Sequence, residues 1–221
     1  MSIENLTVII PFRNGGQTIE ALLDCLPAAL PVLVADDVSD TPYSTARPNV
    51  KVLRLSRRGY FSGAVNVGLR ACDTDVLILN QDVTLTGTRW LDLLARRGEY
   101  GMLGDGVMNH PAHTRGYIQG TFMFLRRDLI ERVGFLNEQD YPLWGATCEY
   151  QLRACRQGFK TLPLDLKPFG FRHLRGDKPF GTAIVATLKE EPENKSLLIK
   201  TPPAISVIIT SYNYGRYVRD A

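Results

Sequence analysis

Asp75-Val-Leu-Ile-Leu-Asn-Gln-Asp82 is the stretch whose reading decides the fold. Four apolar residues, Val76 to Leu79, stop abruptly at a polar triplet that carries a carboxylate. A short apolar run between turn signals suits a strand buried on both faces, as in a parallel sheet. Open α/β sheets bind ligands at the carboxyl ends of their strands, which is where Asn80 and Asp82 fall. Hard divalent cations prefer oxygen ligands, and Mg²⁺ sites often use one or two carboxylates plus substrate phosphates. The triplet therefore reads either as a metal–diphosphate site or as a strand end capped by turn-forming Asn and Asp.

Outward from that strand, the first half alternates buried strands with helices. Leu6-Thr-Val-Ile-Ile-Pro11 reads as a strand and Phe12-Arg-Asn-Gly-Gly16 as its turn. Thr18 reads as the cap of a helix whose apolar positions are Ile19, Leu22, Leu23 and Leu26. Pro31 to Ala35 is a second strand ending in Asp36-Asp37-Val-Ser-Asp40, and the connection predicts a parallel crossover. Acids at that position can hydrogen-bond a ribose or a base, or simply form a solvated loop. Val50 to Leu55 alternates as a less buried strand, and Ser62 reads as the cap of a glycine-bearing helix. Trp90 to Arg97, Asp128 to Val133 and Thr147 to Gln157 read as helices, the last stopping at Gly158. Tyr100 to Val107 is glycine-rich, Tyr117 to Leu125 reads as a strand, and Lys160 to Leu164 as a proline-bearing edge strand.

Composition narrows the classes. The 221 residues are 44% hydrophobic, enough for one well-buried domain. A net charge of +3, spread along the chain, gives no reason to expect nucleic acid as a partner. The four cysteines form no CxxC pair, which argues against a zinc site and for reduced thiols. There is no apolar run of membrane-spanning length, and the expected location is the cytoplasm, including the inner face of its membrane. Near the C-terminus, Ser206-Val-Ile-Ile-Thr-Ser-Tyr-Asn-Tyr-Gly215 repeats Thr7-Val-Ile-Ile-Pro-Phe-Arg-Asn-Gly-Gly16 without a gap. The expected organisation is a domain over residues 1–187, a linker over 188–204, and the first strand and turn of a second, similar domain over 205–221.

Taken together, these segments resemble family 2 glycosyltransferases, which have the GT-A nucleotide-sugar fold. The pieces occur in the family's order: Val8-Ile-Ile-Pro-Phe-Arg-Asn14, Val34-Ala-Asp-Asp-Val-Ser39, Gly59-Tyr-Phe-Ser-Gly-Ala-Val-Asn-Val-Gly68 and Leu77-Ile-Leu-Asn-Gln-Asp82. Gly120-Thr-Phe-Met-Phe-Leu-Arg-Arg127, Val133-Gly-Phe-Leu-Asn-Glu138 and Arg153 to Gly158 complete them. No single piece is specific; their order and spacing carry the resemblance, which covers roughly residues 5–175.

The resemblance implies an α/β, mainly parallel Rossmann-like sheet with a mixed acceptor-side half. It implies an inverting transferase that uses a divalent metal, Mn²⁺ or Mg²⁺, and a UDP-, dTDP- or GDP-linked sugar. The acceptor would be a glycan, a polysaccharide or a lipid-linked hydroxyl. Pro11, Asn14, Asp36, Asp37, Gly63, Asn66 and Asn80 would line the nucleotide site, and Asp82 and His173 would meet the metal. Gly120 and Trp144 would face the acceptor. His110 and His113 match nothing in the pattern and read as loop residues. One departure stands out. The Glu-Asp pair that usually supplies the base aligns with Ala146 and Thr147, leaving Glu149 as the nearest carboxylate. Glu149 is either that base or the partner of Arg153 at i, i+4, with Glu138 and Asp140 weaker candidates. A degenerate module, serving as a nucleotide-binding scaffold for the domain after it, is the competing expectation.

Overall fold

The computed structural model describes residues 5–108 and 115–174. The proposed linker, the C-terminal repeat, the 187 boundary and the loop bearing His110 and His113 lie outside the described residues. Nine strands and five α-helices follow in the order β1 Leu6–Phe12, α1 Gly16–Asp24, β2 Val32–Asp36, β3 Val50–Arg54, α2 Tyr60–Arg70, β4 Asp75–Leu79 and β5 Val83–Leu85. Then come α3 Arg89–Leu94, β6 Met102–Val107, β7 Tyr117–Leu125, α4 Arg127–Val133, α5 Ala146–Arg156, β8 Thr161–Leu164 and β9 Phe171–His173.

Seven strands form one sheet in the order β3-β2-β1-β4-β7-β6-β8, and β5 pairs with β9 in a second, two-stranded sheet. Within the large sheet β7 is antiparallel to both its neighbours, while the other pairings are parallel. Both faces are covered, so the central strands are apolar on each side. Val8, Ile10, Leu77, Leu79, Phe122 and Phe124 point to the face that packs α1 and α3. Ile9, Val76, Ile78, Met123 and Leu125 point the other way, onto α2, α4 and α5. This alternation follows from the two-residue period of a strand.

The outer strands behave as their sequences ask. β3 alternates partly buried and exposed residues at one edge, and Pro163 sits in β8 at the other. Pro11 is the exception, a proline inside central β1. Val8 donates toward the β2 side, to Pro31 O, so alternation turns Pro11 toward β4. Pairing between β1 and β4 covers only Leu6 to Ile9, so no ladder bond is lost there.

Two helix starts differ from expectation. α1 begins at Gly16 behind Gly15, and Thr18 Oγ1 donates to Gly15 O rather than capping amides. α2 begins at Tyr60 behind Gly59, while Ser62 Oγ donates to Tyr141 O at 2.5 Å. Glycine stands at both starts because the chain is crowded: a Cβ at Gly15 would meet the Gln81 amide at 2.3 Å, and one at Gly59 the Leu55 side chain at 2.8 Å. The glycine-rich run also folds as a strand, β6. A Cβ on Gly104 would lie 2.0 Å from the Phe122 carbonyl oxygen, so β6 and β7 approach closely only with glycine there. Gly104→Ala should therefore destabilise the domain by about 1–3 kcal/mol, as overpacking does. Urea unfolding checks this; an unchanged midpoint would contradict the close approach.

Candidate functional site

β1, β2 and β4 are parallel neighbours, so their carboxyl ends fall on one edge of the sheet, and the crevice expected there is bordered by loops that backbone amides and charged side chains knit together. Asp36 ends β2 fully buried. Its Oδ1 accepts from Ser39 N at 2.8 Å, and its Oδ2 from Tyr43 N at 3.2 Å and Arg54 Nη1 at 2.6 Å. Burial pushes this carboxyl up, but those hydrogen bonds together outweigh it and hold it below the usual carboxylate value. Asp37 is 3% exposed and bonds the next element: Arg58 Nη1 and Gly59 N each at 2.6 Å, and Tyr60 N at 2.9 Å. For Asp37 burial wins over these partners, and its carboxyl is raised.

In this structure, then, the paired acids brace the loops after β2 and β3. Backbone strain gathers in the same place. Asn14, Val38 and Tyr60 all adopt positive φ, and for a β-branched valine that is a costly conformation. Arg13 steadies Val38 by donating to its carbonyl at 2.8 Å. Gln81, between Asn80 and Asp82, clamps Arg13 from the other side: it accepts from Arg13 N at 2.7 Å and donates to Arg13 O at 2.9 Å. Asn14 Nδ2 donates to Asp40 Oδ2 at 3.1 Å, and Asn14 Oδ1 accepts from Asp40 N at 2.9 Å. Beside this pair lies an open pocket of about 460 Å³, lined by Phe12, Asn14, Asp40, Pro42, Tyr43 and Ser44 among others.

Asp82 and His173 meet although nothing in their local sequences joins them. β5 starts directly after Asp82 and pairs antiparallel with β9, Val83 facing His173. Leu174 N donates to Asp82 O at 2.8 Å, and His173 Nε2 lies 3.1 Å from Asp82 Oδ2. A carboxylate and an imidazole in contact, both partly exposed, can bind one divalent cation between them. Among the described residues, no group of three His, Cys, Asp or Glu side chains could hold a metal alone. Asn80, half-buried at the end of β4, donates its backbone N–H to Thr121 O at 3.2 Å.

Other expected residues turn out to hold neighbouring structure. Asn66 is buried in α2, with its amide donating to Leu136 O and accepting from Leu136 N, both at 2.9 Å. Those bonds make Asn66 a tie between α2 and the loop after α4. Gly63 lies against that loop too, its missing Cβ 3.3 Å from Glu138 Oε2. Gly120 seats the Phe61 ring, which a Cβ would meet at 2.2 Å. Trp144 is half-buried in the loop just before α5.

Glu149 forms the i, i+4 ion pair that its spacing allows. α5 starts at Ala146, behind left-handed Gly145, so Glu149 stands in its first turn. Arg153 Nε reaches Glu149 Oε1 at 2.6 Å and Nη2 reaches Oε2 at 3.0 Å, while the same guanidinium donates to Val133 O and Phe135 O. This is a bidentate pair that ties α5 to the α4 loop.

Sequence reasoning passed over Arg13, Gln81 and Asp105. Gln81 was legible as the middle of the triplet; the others depend on long-range contacts that no local pattern announces.

Residues 7–151 match the family described as Glycosyl transferase family 2. No curated protein matches the chain significantly in sequence. Among solved structures, a mannosyltransferase from Pyrobaculum calidifontis, determined with GDP-Man and Mn²⁺, superposes with a TM-score of 0.64 at 16% identity, over 91% of this chain and 66% of that one. S. aureus TarS, residues 1–349, gives 0.53 at 19% identity over 68% and 55%. GalNAc-T7, determined with UDP, GalNAc and Mn²⁺, gives 0.58 at 14% over 72% and 42%. The chain spans less than two thirds of each of these structures. The likeness establishes the GT-A fold.

Two outcomes follow from the geometry. Glu149→Gln should cost about 0.3–1 kcal/mol of stability, the range for partly exposed pairs, without changing turnover. A large loss of turnover at unchanged stability would return Glu149 to the catalytic role. Asp36→Asn should cost about 2 kcal/mol or more near neutral pH, because it leaves the buried network short of its charge. Because the folded Asp36 carboxyl is lowered, its contribution is fully present above the unfolded carboxylate value and is lost as pH falls through the folded one. The stability gap between wild type and Asp36→Asn should thus narrow in acid, which unfolding curves between neutral pH and pH ~3 would check.

Proposed function

The chain belongs to glycosyl transferase family 2, and on that premise we propose that it transfers a sugar from a nucleotide donor to an acceptor hydroxyl, with inversion and with a divalent metal. The observation that carries this reading is the Asp82–His173 contact at the carboxyl end of β4. A carboxylate suits Mn²⁺ and Mg²⁺, imidazole tolerates Mn²⁺, and such ions keep positions for phosphate oxygens and water. Asp82 and His173 would hold the metal, and the donor's diphosphate would complete its shell. When bound, the cation supplies neutralisation of the departing nucleoside diphosphate.

The chain's own residues do the remaining work. Asn14 and Asp40 border the pocket and would meet the nucleoside, with Pro11 and Asn80 at the crevice floor. Asp36 and Asp37 would act by fixing those loops, their oxygens being already engaged by Ser39, Tyr43, Arg54, Arg58, Gly59 and Tyr60. Preformed loops lower the ordering cost of binding, which supports a donor site built before the donor arrives. GDP-Man and UDP with Mn²⁺ in the structural relatives support a nucleotide-sugar donor here, its base drawn from UDP, dTDP or GDP. The acceptor would be a glycan, polysaccharide or lipid-linked hydroxyl on the Gly120–Trp144 side. Among the described residues no helix is long and apolar enough to cross a membrane.

A second reading has one specific observation behind it. Ala146 and Thr147 stand where an acid pair is expected, and Glu149 is held by Arg153. A domain that binds nucleotide without transferring sugar, as a scaffold for a following domain, would look this way.

Calorimetry of UDP, dTDP and GDP with and without Mn²⁺ tests the donor site. One nucleotide should bind in a metal-dependent manner, and Asp82→Ala should weaken it by more than the ~10–100-fold typical of losing an outer-shell partner. Equal affinity in Asp82→Ala would remove Asp82 from the metal site. Tight nucleotide binding with no donor cleavage would favour the scaffold.

A further inference from the structure

β6 and β7 pair unevenly. Gly104 faces Met123 and Gly106 faces Ile118, so β7 residues 119–122 stand opposite Asp105 alone. Bulges of this kind bend a strand and re-aim its side chains, and they recur beside active sites. Here the aimed side chain is a carboxylate. Asp105 Oδ2 accepts from Thr121 Oγ1 at 2.6 Å and from Gln119 Nε2 at 3.2 Å. Gly120, between those two donors, has no side chain and lets the Phe61 ring pack against the bulge.

The bulge lies against the donor end of the sheet. Thr121 O accepts from the Asn80 backbone N–H, and Asp82 follows two residues later. Helix α5 packs along β7 next to the bulge. Gln151 of that helix accepts from Ile118 N at 2.9 Å and donates to Gly116 O at 3.1 Å, which fixes α5 along the start of β7. The Tyr117 phenol, pushed up to about 12 by burial first, also feels the Cys148 thiol and the Asp105 carboxylate as neighbours. Cys148 belongs to the turn where the expected acids are missing. A partly exposed carboxylate on strand β6 therefore sits between the end of β4 and the start of α5, whereas the family pattern looks for it on the helix α5 itself.

We propose that Asp105 is the acceptor-side carboxylate of this site and receives the proton of the incoming hydroxyl. The proposal rests on the sugar-transfer reading above. In the step, the acceptor oxygen forms a bond to the anomeric carbon. The bond from that carbon to the diphosphate oxygen breaks, its electron pair leaving with the nucleoside diphosphate. The hydroxyl proton passes to Asp105 and from there to solvent. Thr121 and Gln119 act as positioning residues that hold the carboxylate in one orientation. The inference also explains how the chain can lack an acid at Ala146 and Thr147 without being inert.

The test uses the full chain with Mn²⁺ and UDP-, dTDP- and GDP-sugars. Release of nucleoside diphosphate to water or to added sugar acceptors gives kcat, and calorimetry gives nucleotide affinity separately. Asp105→Asn should lower kcat by ~10²–10⁴-fold, the usual worth of a general base, at unchanged nucleotide affinity and unfolding midpoint. Asp105→Glu should restore part of the loss. Retained kcat in Asp105→Asn, or a kcat loss matched by lost nucleotide affinity, overturns the proposal. Should Asp105→Asn fail to fold, Thr121→Val serves instead: reduced kcat at unchanged affinity supports the inference, and unchanged kcat overturns it. A wild type that binds nucleotide but cleaves no donor overturns Asp105 together with the transfer reading, whereas retained kcat in Asp105→Asn overturns Asp105 alone. A wild type that binds no nucleotide brings down the donor site first.

Discussion

The pairing of two three-residue strands, β5 and β9, is the constraint on which the candidate site depends. Without it Asp82 is a carboxylate at a strand end and His173 a residue far along the chain. The pairing sets Val83 opposite His173 and Leu174 N on Asp82 O, which leaves the two side chains 3.1 Å apart. Two short strands would be marginal by themselves. Their stability comes from packing, since Val83, Leu85 and Phe171 are buried in the same core as α1 and α3. Phe171 meets Phe122 edge-on at 6.0 Å, fastening the small sheet to the large one.

A second level of order lies in how charge is spent at the crevice. Asp36 and Asp37 could each have presented oxygen to a ligand, yet each is consumed in joining β2 to its neighbours. The cost of burying them is offset by backbone amides and by Arg54 and Arg58. What results is a set of loops held in strained conformations at Asn14, Val38 and Tyr60. The same holds beside α5, where Asn66 bonds Leu136 and Arg153 joins Glu149 to the Val133 and Phe135 carbonyls.

The parts of the fold legible in sequence were those governed by local pattern. β1, β2 and β4 are apolar runs because both sheet faces are covered, and their ends could be read from the residues that stop them. Glu149 and Arg153 could be paired from their spacing on one helix face. Helix starts were misread where a glycine, chosen for room, displaced the expected Thr18 and Ser62 caps. β5 and β9 were invisible as strands because three residues make no period, and their pairing is long-range. Asp105 was missed because a bulge, which local sequence does not announce, decides where it points. The motif placed Asn66 in the nucleotide segment, and only the fold shows its bonds to Leu136, which lies seventy residues on.

The central claim is that Asp82 and His173 hold one cation in the presence of a nucleoside diphosphate. The most direct measurement is NMR of the histidine ring protons during Mn²⁺ addition, with UDP, dTDP or GDP present and the His173 signal identified by its loss in His173→Gln. Mn²⁺ broadens protons close to it. Selective broadening of the His173 signal at low Mn²⁺, abolished by Asp82→Ala, is the predicted result. A His173 signal that stays sharp while nucleotide and Mn²⁺ bind would contradict the account and move the metal elsewhere in the crevice.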